Sequence, residues 1–376
     1  MRLMIVDDSA LMRRWLKQCF EDQDCVIETA RSGADALAKL ESFNPDVITL
    51  DINMPEMDGL TCLAHIMTDM PRPVVMISSL TGEGALATLE ALELGAVDYI
   101  EKPSGTVSHD IKTRFPEITA KVRAAAGAKT RQGKTRSGGR AGAPSAKRAG
   151  ARPGAGSAGA AARRPRLATP GAKQPIDLVL IGVSTGGPGT IEEVLSAVSA
   201  DLAAPILIAQ HMPSRFAQVL ADRLNSRLDL EVSAANGATL LKPGAAVVAG
   251  ADADILVSKR GAKLMAVPTP LDPSRTWHPS VDRMVESAME CMRPDRLLAV
   301  QLTGMGDDGA AAMTALRQKG GRTIAESEES AVIFGMPKEL IRRGGAEIVL
   351  PSSEIGETLN LWTGLRGARR AAVPSS

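Results

Sequence analysis

The sequence predicts an α/β protein of two doubly wound domains: an N-terminal five-stranded parallel sheet and a C-terminal, mainly parallel sheet with a small antiparallel insertion. Three observations carry this prediction. Short apolar runs alternate with amphipathic helical patterns from the first residues to about 120. The chain then turns to Ala, Gly, Pro, Ser, Lys and Arg until about residue 175, with almost nothing to bury. The β-α rhythm resumes at Ile176. A chain of 376 residues is long enough to give each half its own core. The expected division is 1–120, a flexible linker over 121–175, a second domain over 176–366, and a tail over 367–376.

In the first domain the candidate strands are Leu3–Val6, Val26–Thr29, Val47–Leu50, Val74–Ile77 and Val97–Ile100. Helical patterns fill the gaps, with a last one near Asp110–Ala125. Each apolar run is four or so residues long and bounded by polar residues or glycine, as fits strands buried on both faces. In such a sheet the functional groups gather at the strands' carboxyl ends. Here the first strand runs into Asp7-Asp8 and the third into Asp51. The fourth runs into Ser78-Ser79, and the fifth is followed by Lys102-Pro103. Three carboxylates brought together repel one another without a cation, and an all-oxygen set suits Mg²⁺. A lysine and a hydroxyl beside them would hold a phosphoryl group on Asp51, the carboxylate acting as nucleophile.

These residues, together with Asn53-Met54-Pro55 and Asp58-Gly59, resemble the receiver domain of two-component response regulators. The resemblance implies phosphorylation at Asp51. It implies Mg²⁺ held by Asp8 and Asp51 with the Asn53 backbone carbonyl, Asp7 standing beside them, and Ser78 and Lys102 on the phosphoryl group. Tyr99 falls at the switch-aromatic position. Asn53 stands where many relatives carry Glu.

The middle segment is basic. Twelve Lys and Arg and no Asp or Glu fall between 124 and 175, so with a net charge of +1 the rest of the chain carries −11. The composition reads as a disordered, soluble tether, with a basic arm for nucleic acid or an acidic partner as the alternative. Aromatics are few, nine in all, which leaves little for base stacking. No helix-turn-helix pattern follows the first domain, and no nucleic-acid partner is expected.

In the second domain the apolar runs are Ile176–Ile181, Pro205–Ala209, Ala245–Val248, Ile255–Val257, Leu264–Val267, Leu297–Leu302, Thr323–Ala325 and Glu347–Leu350. Lys259-Arg260-Gly261 is expected to turn a hairpin between the fourth and fifth. The first run leads into Gly182-Val183-Ser184-Thr185-Gly186 and then a helical pattern. That is a strand, a Gly-rich turn and a helix, where unpaired backbone N–H groups and partial positive charge gather. The pattern fits a nucleophile elbow, and it fits a Gly-rich dinucleotide loop as well. The second reading expects an acidic residue at the end of the next strand. Instead the next run leads into Gln210-His211-Met212-Pro213, which puts a base one β-α unit after a serine. Leu297–Leu302 ends in Thr303-Gly304-Met305-Gly306-Asp307-Asp308-Gly309, offering acids that either cap a helix or orient an imidazole.

With Pro279-Ser280-Val281-Asp282 and Val332–Pro337 added, the whole chain apart from linker and tail resembles the chemotaxis protein-glutamate methylesterases. The resemblance implies Ser184 as nucleophile, His211 as base and Asp308 as orienting acid. It places the Met305 N–H in the oxyanion hole and Thr185 in the lining. The implied reaction removes methyl esters from glutamate side chains of methyl-accepting chemoreceptors and deamidates receptor glutamines, without a cofactor for hydrolysis. A chemotaxis-type histidine kinase is the implied phosphodonor, and the unphosphorylated receiver is expected to pack over the esterase site. The stretch Asp272–His278 departs from the Asn-Arg-His-Arg common in the family, and Val248–Ala251 from its Ala-Pro-Gly turn.

The four cysteines, Cys19, Cys25, Cys62 and Cys291, have no metal-ligand spacing and read as isolated thiols in a reducing compartment. A first strand starting almost at Met1 leaves no room for a signal peptide, and no apolar run reaches the ~18 residues of a membrane span. A cytoplasmic location without membrane insertion is the expectation.

Overall fold

A computed structural model describes residues 1–21, 24–79, 81–102, 114–128 and 174–366. The N-terminal half runs β1 (Arg2–Val6), α1 (Ala10–Gln18), β2 (Val26–Ala30), α2 (Gly33–Phe43), β3 (Val47–Asp51), α3 (Gly59–Asp69), β4 (Val74–Ser78), α4 (Gly82–Leu94), β5 (Asp98–Glu101) and α5 (Phe115–Ala126). Its five strands lie in the order β2-β1-β3-β4-β5, every pair parallel. The first four helices begin where the sequence can cap them: Ser9, Ser32, Asp58 and Thr81 each accept from a backbone N–H three residues on. After β1 the chain moves outward to β2, then crosses back to β3, so the crevice between β1 and β3 is a topological switch point. Gly59, at the start of α3, has to be glycine: a Cβ there would lie 2.1 Å from the Asp51 carbonyl oxygen.

The C-terminal half runs β6 (Leu178–Val183), α6 (Gly187–Ser196), β7 (Ile206–Gln210), α7 (Ser214–Arg227), β8 (Glu231–Ala234), β9 (Thr239–Leu240), β10 (Ala245–Ala249), β11 (Asp254–Arg260) and β12 (Lys263–Thr269). It continues with α8 (Val281–Cys291), β13 (Leu297–Gln301), α9 (Ala310–Gln318), β14 (Arg322–Glu326), α10 (Met336–Arg342), β15 (Ile348–Leu350) and α11 (Ser352–Thr363). Seven parallel strands form the sheet β15-β14-β13-β6-β7-β10-β8, and β11-β12-β9 form a small antiparallel sheet beside it. The switch point here lies between β6 and β13, paired in register from Leu178↔Leu297 to Gly182↔Gln301. The loops after these two strands therefore meet at one rim.

Every expected strand forms, and two unexpected ones, β8 and β9, join them. Both are short and only partly buried, so they lack the apolar signal that marks the others. The hairpin turn also shifts. Lys259 and Arg260 stay in β11, pairing with Leu264 and Lys263, and Gly261 at φ 60° begins the two-residue loop. Helix α5 reaches Ala126, past the expected boundary at 120. The linker over 129–173, the start of the expected helix at Asp110, Pro103 and the tail over 367–376 lie outside the described residues. Among the described residues, no helix is long and apolar enough to cross a membrane.

The two sheets are not separate bodies. Ala85 and Leu89 of α4 share one buried apolar cluster with Phe216, Ala217 and Leu220 of α7, and α4 also packs on α6. Charged groups ring this contact. Arg223 lies 2.8 Å from Glu192 and also pairs with Glu93; Arg227 lies 3.0 Å from Glu192 and reaches the same Glu93. Arg223 further donates to the Leu89 carbonyl at 3.4 Å.

Candidate active site at the meeting of the two sheets

The turn after β6 positions Ser184. Its N–H donates to the Thr303 carbonyl at 2.9 Å, which ties the β6 loop to the β13 loop. Its own carbonyl accepts from the Gln210 side chain at 3.0 Å and from Gly187 N–H at 2.9 Å. Gly186 takes φ 78°, the left-handed conformation that lets the chain swing from strand into α6. Gly304 packs so close to Ser184 that a Cβ on it would lie 2.6 Å from the Ser184 Cβ. The serine is thus held by its neighbours through backbone and the Gln210 side chain, and borders open space in one direction.

That direction is a cavity of about 710 Å³ between the domains, lined by Ser184, His211 and Trp277 on one side and by Tyr99, Glu117 and Lys121 on the other. His211 stands just past β7, held there by its N–H bond to Val183 O at 3.1 Å. Its Nε2 lies 2.9 Å from Asp308 Oδ2. Its Nδ1 is buried and has no hydrogen-bond partner. An ionised Asp308 fixes the tautomer: Nε2 carries the proton, and Nδ1 keeps its lone pair. The Ser184 hydroxyl does not hydrogen-bond to the ring in this structure.

Asp308 is the most constrained of the three. Its Oδ1 accepts from Asp282 N–H at 3.0 Å and the Ser280 hydroxyl at 3.2 Å, and its Oδ2 from Val281 N–H at 2.7 Å. These donors are the first turn of α8, so the carboxylate sits on the positive end of that helix. Burial would raise its pKa, but His211 and the two N–H groups outweigh it and hold Asp308 below the ordinary carboxylate value. Neighbouring Asp282 goes the other way: burial, reinforced by Asp308, raises it to about 6 against the opposing Ala312 N–H.

Of the other residues expected here, Met305 follows Gly304 in the same loop, and its N–H makes no hydrogen bond among the described residues. The Thr185 carbonyl accepts from the Thr303 hydroxyl at 2.9 Å. The Thr185 side chain, by contrast, reaches across the domain boundary and donates to Asp98 Oδ2 at 2.6 Å. It does not line the cavity.

The acids of the first sheet converge as the sequence implies. Oxygens of Asp7, Asp8 and Asp51 lie within 4.8 Å of one another. Lys102 Nζ is 2.7 Å from Asp51 and 3.4 Å from Asp7. Burial raises both buried acids, Asp7 to about 6 with help from Asp51, while Lys102 pulls each back. Asp7 Oδ2 is buried without a hydrogen bond, although it faces Lys102, so an oxygen is left free for a cation. Asn53, exposed, lies two residues past the β3 end, and its N–H donates to Asp51 at 3.3 Å. Ser78 is the exception. Its hydroxyl donates to Gly84 O at 3.1 Å and accepts from Thr88 at 2.7 Å, so it engages α4 rather than Asp51 or Lys102.

Tyr99 is 5 % exposed, although an aromatic near the end of a receiver strand is ordinarily read as a surface switch. Its ring stacks on Phe216 of α7, centroids 4.7 Å apart and planes 4° apart, with the Lys121 ammonium 5.1 Å from its ring centroid. Asp98 and Phe216 escaped the sequence reading: Asp98 lies at the start of an ordinary strand, Phe216 on an ordinary amphipathic helix. Trp277 falls in the stretch Asp272–His278 that the sequence singled out, without a role of its own.

Comparison with known proteins agrees with this architecture. Residues 3–110 match the family model of the response regulator receiver domain, and residues 179–359 that of the CheB methylesterase. The chain is 51% identical over 362 residues to protein-glutamate methylesterase/protein-glutamine glutaminase 3 of Rhodospirillum rubrum, covering 96% of each. It is 47% identical to protein-glutamate methylesterase/protein-glutamine glutaminase 2 of Rhodopseudomonas palustris, covering 96% of this chain and 98% of that one. To protein-glutamate methylesterase/protein-glutamine glutaminase 2 of Carboxydothermus hydrogenoformans it is 45% identical, over 95% and 98%. A receiver sheet, an esterase-type sheet and near full-length identity at this level leave one conclusion: the chain belongs to the protein-glutamate methylesterase/protein-glutamine glutaminase family.

Proposed function

We propose that this protein is a phosphorylation-regulated hydrolase that removes methyl esters from glutamate side chains of methyl-accepting chemoreceptors and deamidates receptor glutamines. Ser184 is the nucleophile, His211 the general base and Asp308 the group that orients the imidazole. One observation carries the reading: His211 gives Nε2 to Asp308, leaves its buried Nδ1 without a partner, and lines the same cavity as Ser184. The reading requires the Ser184 hydroxyl to turn onto Nδ1 when substrate binds, a tightening common in hydrolases between free and loaded forms.

In the first half of the reaction Nδ1 takes the Ser184 proton as Oγ bonds to the ester carbonyl carbon. The carbonyl oxygen becomes an oxyanion, which the Met305 N–H is free to bind. The bond to methoxide then breaks, Nδ1 returns its proton, and methanol leaves. In the second half Nδ1 takes a proton from water as its oxygen bonds to the glutamyl carbon; the bond from that carbon to Ser184 Oγ then breaks, Nδ1 returns the proton to Oγ, and a glutamate is freed. For a glutamine the leaving group is ammonia. Through both halves the imidazolium is opposite Asp308, whose helix-end donors keep it ionised.

The receiver supplies the control. Asp51 takes a phosphoryl group from a chemotaxis-type histidine kinase, its carboxylate oxygen bonding to phosphorus as the P–N bond of the donor breaks. Asp7, Asp8 and Asp51, with the Asn53 carbonyl, fit Mg²⁺, which when bound offsets the negative charge gathered there. Lys102, already on Asp51, adds its own positive charge. In the docked arrangement Tyr99 lies against α7 and Asp98 against the loop of Ser184. A receptor helix, roughly 10–12 Å across with its side chains, meets this wall of receiver residues on its way to Ser184.

The test of the activity is methanol release from methylated receptor membranes, with and without a small phosphodonor and Mg²⁺. Release that rises with donor supports the proposal; no release in either state overturns it. The docking has its own test. A hydrogen bond to a charged group contributes about 1.5–3 kcal/mol, and both Asp98 and Thr185 regain water when the domains part. Asp98→Ala is therefore expected to raise methanol release without donor by about tenfold or more. An unchanged rate would remove the Thr185–Asp98 contact from the inhibition.

A further inference from the structure

His211 is held at its proposed station by a single side-chain hydrogen bond, Nε2 to Asp308 at 2.9 Å. One such bond fixes a point on the ring and leaves its plane free to swing about the bond axis. The plane matters, because it decides where the Nδ1 lone pair points. The structure supplies a second restraint. The indole of Trp277 stacks on the imidazole, centroids 5.7 Å apart and planes 8° apart. The same indole packs on the loop after β13: a Cβ on Gly306 would lie 2.9 Å from its Nε1. Gly306 follows Met305 directly, so one side chain touches both the imidazole and the loop of the free N–H.

Trp277 itself is anchored by its neighbours in sequence rather than by deep burial. Arg275 forms a forked pair with Glu286, at 2.9 and 3.1 Å, and lies 3.4 Å from Asp282. His278 Nδ1 sits 2.9 Å from the fully buried Asp254, which also accepts Ser280 N–H at 2.7 Å and Asp272 N–H at 3.0 Å. The segment is therefore pinned on both sides of the indole, and the ring between the pins is presented flat to His211.

We propose that Trp277 is a positioning residue for the reaction: its indole face sets the plane of the His211 imidazole and keeps Nδ1 aimed at the Ser184 hydroxyl. This rests on His211 being the base. Flat aromatic contact is the requirement, so phenylalanine should serve and an aliphatic side chain of similar bulk should not. A misaimed base slows proton transfer while leaving the binding of the receptor helix alone, so the loss belongs in kcat.

The experiment uses the full chain with a small phosphodonor and Mg²⁺, following methanol release from methylated receptor membranes at varied receptor concentration. Trp277→Leu is expected to lower kcat by about tenfold with KM within about twofold of wild type, and Trp277→Phe to keep kcat within about threefold. Near- and far-ultraviolet circular dichroism of Trp277→Leu matching wild type shows that its loss of rate comes from a misaimed base and not from a lost fold. Three results would overturn the proposal: Leu retaining the wild-type kcat, Leu raising KM at unchanged kcat, or Phe as impaired as Leu. Ser184→Ala runs alongside. If it retains activity, the reading of the site fails; if it is inactive while Trp277→Leu is normal, only the role of Trp277 fails.

Discussion

Ser184→Ala is expected to lower methanol release from methylated receptors by about a thousandfold or more, with little change in KM. The physical reason is local. Ser184 is wedged by Gly304 and held at N–H and carbonyl, so an alanine fits the same backbone and removes only the nucleophilic oxygen. What survives is the binding of the ester beside the Met305 N–H, which stabilises direct attack by water to a small extent. Because Ser184 and His211 would act as one unit, Ser184→Ala/His211→Ala should be no slower than either single variant. Asp308→Asn should also be severely slow, since an amide both loses the charge facing the imidazolium and leaves the α8 N–H donors with a weaker acceptor. A Ser184→Ala protein retaining more than about a tenth of the rate would remove the serine from the chemistry.

The second large effect concerns control. Asp51→Asn is expected to abolish the response to phosphodonor, so that methanol release with donor equals release without it. Moving the docked receiver from about 99:1 closed to 1:99 takes about 5.5 kcal/mol of differential stabilisation. The Tyr99–Phe216 stack at about 0.5–1.5 kcal/mol and the charged hydrogen bond of Asp98 at about 1.5–3 supply part of what must be overcome, and the α4–α7 contact adds to it. Tyr99 and Asp98 are adjacent in β5, only a few residues before Lys102, which contacts Asp51. A phosphoryl group that draws Lys102 therefore acts on the strand that carries both interdomain contacts. A variant still activated by the donor would place the phosphorylation elsewhere.

The fold was legible because its strands are buried on both faces. Runs such as Val74–Ile77 and Ala245–Val248 are apolar without interruption and buried throughout, the pattern of strands covered on both faces. The strands that the sequence hid, β8 and β9, lie at or beside sheet edges, where partial exposure removes the pattern. Ser184 and His211 stood out because each follows directly on a strand, and Asp308 because it lies in the loop after β13; parallel sheets bring such strand ends to one rim. Geometry between the domains was not legible. Nothing local distinguishes Asp98 from a polar residue starting a strand, or shows that Thr185 would turn to it and away from the cavity. Likewise Ser78 sits at the expected strand end, yet Thr88 on α4 claims its hydroxyl. These are choices made by tertiary neighbours, which no single segment encodes.

The most direct measurement of the central claim is acid quench of a single turnover with methylated receptor, followed by mass spectrometry of the peptide containing Ser184. The account expects methanol to appear in step with an ester between a receptor glutamate and the Ser184 oxygen, which then decays as free glutamate forms. Methanol released with no such adduct, or with the adduct on any other side chain, would contradict it.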